Sequence, residues 1–283
     1  MTVQVRFRQH PLLWFAILAL GLSWWAWPLY GLGLLPVPVA SFGPFLAALT
    51  VLAVTEGWSG VVGLFRRMGR WRVGLVWYLL ALGTPLFISA VAVLLNLALG
   101  AQAHLVTLDL DWMSILSTFA AVLLIPGFGG AWEEPGWRGY ALPRLQSGRT
   151  ALRAALTLGV LVAGWHLPLT MVGQVSWVDM IQIIGAVIVF NWLFNNTGGS
   201  VLIIMLAHAA NNTVWKTLTS KVVDEPDFLR QAVLQTVLWC VTAVVVVLAA
   251  GPAHLSRRHH RQEESPALPR RSEHVVPVAA GRS

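Results

Sequence analysis

Apolar stretches recur along this chain at the length a helix needs to cross a bilayer, and that recurrence restricts the fold more than any single residue does. The hydrocarbon core takes about 20 helical residues per crossing. Windows of that kind lie at about 12 to 35, 40 to 57, 74 to 100, 113 to 132, 154 to 173, 179 to 196, 200 to 216 and 230 to 250. They predict an all-α, polytopic membrane helix bundle of about eight transmembrane helices. The second window is the least regular, with Pro44 near its start and Glu56 near its end, so a re-entrant or tilted segment fits it as well as a full crossing.

Orientation follows from the arginines. Arg6 and Arg8 precede the first window; Arg66, Arg67, Arg70 and Arg72 separate the second from the third. Arg138 to Arg153 follow the fourth, and Arg257 to Arg271 follow the last. With eight crossings all four clusters fall on one face, which the positive-inside rule makes cytoplasmic, together with both termini. The opposite loops carry Asp109, Asp111 and Asp179 and a mixed segment from Lys216 to Arg230. The net charge of +7 then reflects topology and attraction to anionic lipid, and no nucleic acid partner is needed to account for it.

Other features have structural readings. The first window follows basic residues but is too long for a cleaved signal sequence, so it reads as a retained signal-anchor. Trp24, Trp25, Trp27, Trp58, Trp71 and Trp112 sit near window ends, the positions of an interfacial aromatic belt. A lone Cys240 excludes an intrachain disulfide and a zinc–thiolate cluster. Asn195 to Thr197 and Asn211 to Thr213 match the glycosylation tripeptide in places no luminal enzyme reaches. From Gly251 the chain turns to arginine, glutamate, serine and proline, the composition of a disordered basic tail, in which His254, His259 and His260 are solvated residues before they are metal ligands. No internal repeat suggests a transporter. The resulting organisation is three spans over 1–110, a five-span core over 111–250 and a tail over 251–283.

Against this background three polar patches stand out: Glu133-Glu134 with Arg138, then His166, then His208 with Asn212. A charged group at the bilayer centre costs on the order of 3 kcal/mol, so such residues mark a site by default. On a helix, Arg138 shares a face with Glu134, whereas Glu133 is rotated by about 100° and is left free. Pro135 implies a kink or a fresh helix start between them. Taken alone, the first patch is a surface salt bridge and His166 a packed, hydrogen-bonded histidine. His208 and Asn212, about 40° apart on one helix, can face a common point. Counting depth along the windows, the three patches meet in a cavity opening to the cytoplasmic leaflet.

Such a cavity allows two chemistries. Glu133, with His166, can take a proton from water while His208 and Asn212 donate hydrogen bonds to the oxyanion of a tetrahedral intermediate. The same Glu and two His can instead hold a divalent metal such as zinc, leaving a position for water. The cofactor is therefore a zinc-like ion or none.

Three segments, taken in order, carry a resemblance: Glu133-Glu134-Pro-Gly-Trp-Arg138-Gly-Tyr-Ala-Leu-Pro, Trp165-His166-Leu-Pro-Leu, and Asn196-Thr-Gly-Gly-Ser200 leading to His208-Ala-Ala-Asn-Asn212. The set resembles the CPBP family of intramembrane proteases, also called the Abi or CAAX-protease family, over the fourth to seventh windows. The resemblance implies that Glu133 activates water with His166, that His208 and Asn212 form the oxyanion site, and that Glu134 and Arg138 support them. Val162 stands where members commonly carry phenylalanine, and Pro135 where many carry a helix-compatible residue. The expected activity is an intramembrane endopeptidase cutting a peptide bond near the cytoplasmic surface of a bacterial membrane, with membrane lipid and a peptide or protein as partners. The alternatives are a bacteriocin-immunity or scaffold protein that needs no catalysis, and a proton or solute carrier.

Overall fold

The computed structural model describes residues 7–35, 40–102, 111–223 and 225–256. Among these residues the chain is helical throughout, without a β-strand. Four helices are long and apolar enough to cross a membrane: Pro11–Gly31 (α1, Pro11–Trp24, and α2, Ala26–Gly31), α5 (Leu75–Ala98), α10 (Trp177–Asn196) and α12 (Phe228–Ala250). The protein is an integral membrane helix bundle. The remaining windows form shorter helices: α3 (Gly43–Thr55), α6 (Trp112–Leu124), α8 (Ala151–Trp165) and α11 (Val201–Val214). At about 1.5 Å per residue, the 13 residues of α3 span about 20 Å, less than a hydrocarbon core. That helix packs on α1 and continues into the amphipathic α4 (Trp58–Met68), whose last turn carries Arg66 and Arg67.

The fourth window departs most from expectation. Instead of one helix to residue 132, α6 stops at Leu124; after a break at 125–129 the chain resumes as a 3₁₀ turn (Gly130–Glu133), a π-helical turn (Pro135–Ala141) and α7 (Leu142–Gln146). Pro135 and Pro143 each remove a backbone donor, which explains why no regular α-helix runs through the segment. Residues 130 to 142 are almost wholly buried, packed against α3 and α11. The fifth window is also bent: His166 caps the C-terminus of α8, and Leu167-Pro168 start a separate short helix, α9 (Leu167–Met171).

Trp27, Trp137 and Trp165 are fully buried and stack edge-on, Trp165 lying 4.6 Å from Trp27 and 5.9 Å from Trp137 between ring centroids. Trp24 donates its indole N–H to the Trp165 carbonyl at 2.9 Å. Trp27 is therefore a core residue and not part of an aromatic belt, and Trp24 is half-buried against the core. Trp25, Trp58, Trp71 and Trp112 are exposed, as a belt requires.

Contacts gather the arginine-bearing segments at one end. Arg67 donates to the Gly139 carbonyl at 2.8 Å, Arg70 to that of Gly198, and Arg144 pairs with Glu56. Tyr140 reaches the Pro11 carbonyl at 3.3 Å, bringing the start of α1 to the same end. There, Gly198 and Gly199 adopt positive φ, which lets α10 stop and α11 start within four residues, with the Ser200 hydroxyl capping the Ile203 amide. The first residues of the expected tail are docked at this end. Carbonyls of Pro252 and Ala253 accept from the first amides of α8 at 3.0 and 2.8 Å, and Leu255 is fully buried. Residues 257–283, with His259 and His260, lie outside the described residues.

Candidate active site

Glu134 is fully buried and Arg138 nearly so. One Glu134 oxygen accepts from Arg138 Nη1 at 2.7 Å and the other from His208 Nδ1 at 2.6 Å. The expected i,i+4 pair thus forms, and it also holds a histidine from another helix. Arg138 Nε donates to Asn191 Oδ1 at 3.2 Å, and its guanidinium lies over the Phe190 ring. A buried ion pair survives only when its remaining donors and acceptors are satisfied, and this one is knitted into three helical segments.

Glu133 forms no ion pair among the described residues, and the Trp137 indole lies beside it. His166 donates from Nδ1 to the Val162 carbonyl at 2.8 Å. A carbonyl can only accept, so the proton sits on Nδ1 and Nε2 is left as an acceptor. The ring packs edge-on against Trp165, with centroids 4.8 Å apart. His208 and Asn212 lie one turn apart on α11, as their spacing requires.

Glu133, Glu134, Arg138, His166, His208 and Asn212 all line one cavity of about 450 Å³. Its wall includes Gly129 and Gly130, which sequence reasoning missed. A Cβ on Gly130 would collide with His208 Nε2, and one on Gly129 would press on Val122 and approach Asn212 Nδ2 at 3.3 Å. The glycine pair three residues before the acidic motif was the available signal: backbone without side chains is what lets the imidazole and carboxamide approach this segment.

The cavity has a closed end and an exposed end. Its inner end is closed by buried Arg138, Phe190, Val162 and Gln235. Its outer wall is formed by exposed Phe128, Gln174 and Lys216 with half-buried Asp179, at the end away from the arginine clusters. Glu133 does not lie at the end of a straight span: the chain breaks at 125–129 and runs on through α7 to the arginine-bearing end.

Among the described residues no three His, Cys, Asp or Glu side chains converge as a metal-ligand group. Glu134 and His208 Nδ1 are already committed to each other.

An acid, two imidazoles and a carboxamide thus share one cavity of a membrane helix bundle. Residues 112–214 match the family model described as Type II CAAX prenyl endopeptidase Rce1-like. CAAX prenyl protease 2 of Methanococcus maripaludis is 27% identical over 107 residues, 34% of this chain and 40% of that protein. The match therefore spans well under half the length of the curated relative. Over this stretch the chain is similar to the CAAX prenyl endopeptidases.

Proposed function

We propose that this protein is an intramembrane endopeptidase that hydrolyses a peptide bond with water activated by Glu133. The observation carrying this reading is that Glu133, His166, His208 and Asn212, from three separate segments, line a single cavity. Water lies between the Glu133 carboxylate and the free Nε2 acceptor of His166. As its oxygen bonds to the substrate carbonyl carbon, its proton passes to Glu133. The carbonyl oxygen, now an oxyanion, is held by the Asn212 carboxamide N–H and by His208 Nε2 when that nitrogen carries a proton. The carboxyl proton on Glu133 then moves to the leaving nitrogen, the C–N bond breaks, and an acid and an amine leave. Glu134 and Arg138 hold His208 in place and do not touch substrate.

The substrate is a peptide or protein segment at the membrane, because the site sits in a lipid-embedded bundle. With the arginine-bearing end cytoplasmic by the positive-inside rule, the cavity mouth faces the opposite leaflet, where Asp111, Asp179 and Asp227 lie. Reconstituted protein incubated with a peptide mixture in ¹⁸O-water tests the reaction class. Hydrolysis places one heavy oxygen in each new carboxyl end; new ends without the label would contradict it.

A further inference from the structure

Resting on the peptidase reading, we infer that Lys216 is the specificity residue of the cavity mouth, binding a substrate carboxylate two to four residues from the scissile bond. Lys216 follows α11 in a π-helical turn (Trp215–Thr219), four residues beyond Asn212 and eight beyond His208. Successive steps of four turn a helix by only about 40°, so the three side chains descend one stripe from the reaction centre to the rim.

Apart from Glu133, assigned to the water, the other charges of the cavity are engaged. Glu134 and Arg138 pair with each other. Asp179 accepts the Ser176 amide at 3.0 Å in the N-terminal cap of α10. The Lys216 ammonium has no ion pair or side-chain hydrogen bond among the described residues; it stands 5.5 Å from the Phe128 ring centroid, which positions the cation without neutralising it. An unpaired cation at the exposed end of the cavity, on the helix that carries His208 and Asn212, is a receptor for an anion.

Distance sets where that anion lies. At about 1.5 Å per residue, Lys216 is about 6 Å along the helix from Asn212 and about 12 Å from His208. An extended peptide advances about 3.3 to 3.6 Å per residue. A peptide whose carbonyl rests at His208 and Asn212 therefore brings a group two to four residues away to the lysine. The chemistry is a carboxylate, supplied by the chain end or by an aspartate or glutamate side chain.

The test uses purified full-length protein carrying Glu133→Gln, so that binding is read without turnover. The probes are N-acetyl-trileucine as free acid, the same peptide as its amide, and N-acetyl-Leu-Asp-Leu amide. The free acid is expected to bind about tenfold tighter than its amide. Tight binding of the aspartyl amide as well would assign recognition to side chains, and its weakness to the chain end. Lys216→Gln abolishes the preference, Lys216→Arg keeps it, and Lys216→Glu reverses it. Equal binding of acid and amide to the protein with Lys216 intact would overturn the inference and leave Lys216 as an anchor for lipid headgroups. Cleavage by protein with Glu133 intact is scored separately, so loss of selectivity with cleavage retained refutes only the role of Lys216.

Discussion

Glu134 is a bridge: one carboxylate oxygen accepts from Arg138 and the other from His208, at 2.7 and 2.6 Å. An acid that looks paired within one motif thereby fixes a catalytic candidate eight residues into another helix. Glu134→Gln leaves Arg138 buried without its counter-charge. Breaking one side of a buried pair costs about 3 to 5 kcal/mol, so the unfolding midpoint in detergent is expected to fall and peptide cleavage to be lost together. A variant as stable as the parent would show that the bridge holds nothing.

Gly130 gives a sharper separation of geometry from stability. Gly130→Ala pushes the His208 ring out of its seat, and a displacement of about 1 Å at a reaction centre costs on the order of a hundredfold in rate. Gly63, with open space around it on α4, serves as the control: Gly63→Ala should leave cleavage unchanged and stability within about 1 kcal/mol. Steady-state kinetics of the two variants in parallel decide the point.

The docked segment after α12 also makes a measurable contribution. Asn196 donates to the carbonyls of Trp192 and Leu255 at 2.8 and 3.2 Å and accepts from the Ser256 hydroxyl at 3.3 Å. Asn196→Leu strands these groups and is expected to cost about 2 kcal/mol, read as a lowered thermal midpoint.

Membrane sidedness follows from the separation of arginines and cavity mouth. In a Cys240→Ala background, Arg149→Cys and Gln174→Cys place single thiols at exposed positions on opposite ends. A membrane-impermeant maleimide applied to intact cells should label position 174 and spare position 149. The reverse pattern would put the cavity mouth on the cytoplasmic side.

Much of the bundle was legible in the chain because apolar run length is a direct physical requirement of the bilayer. The i,i+4 relations of Glu134 with Arg138 and of His208 with Asn212 were legible for a similar reason: helical geometry is local. Most of what escaped reading was non-local. One local signal was also passed over: Pro126-Gly127 and Gly129-Gly130 end α6 at Leu124 and break the fourth window before Glu133. Trp27 has the composition of an interfacial residue but fills the core, since its environment is made by Trp165 from another helix. The link from Glu134 to His208 spans 74 residues and no pattern of spacing encodes it.

Glu133→Gln in purified, reconstituted protein tests the catalytic role most directly, because it removes the base while keeping the shape of the side chain. With a peptide that the parent protein cuts, the initial rate is expected to fall by at least about a hundredfold, without loss of thermal stability. Cleavage at the parent rate would contradict the assignment of Glu133 as the group that activates water.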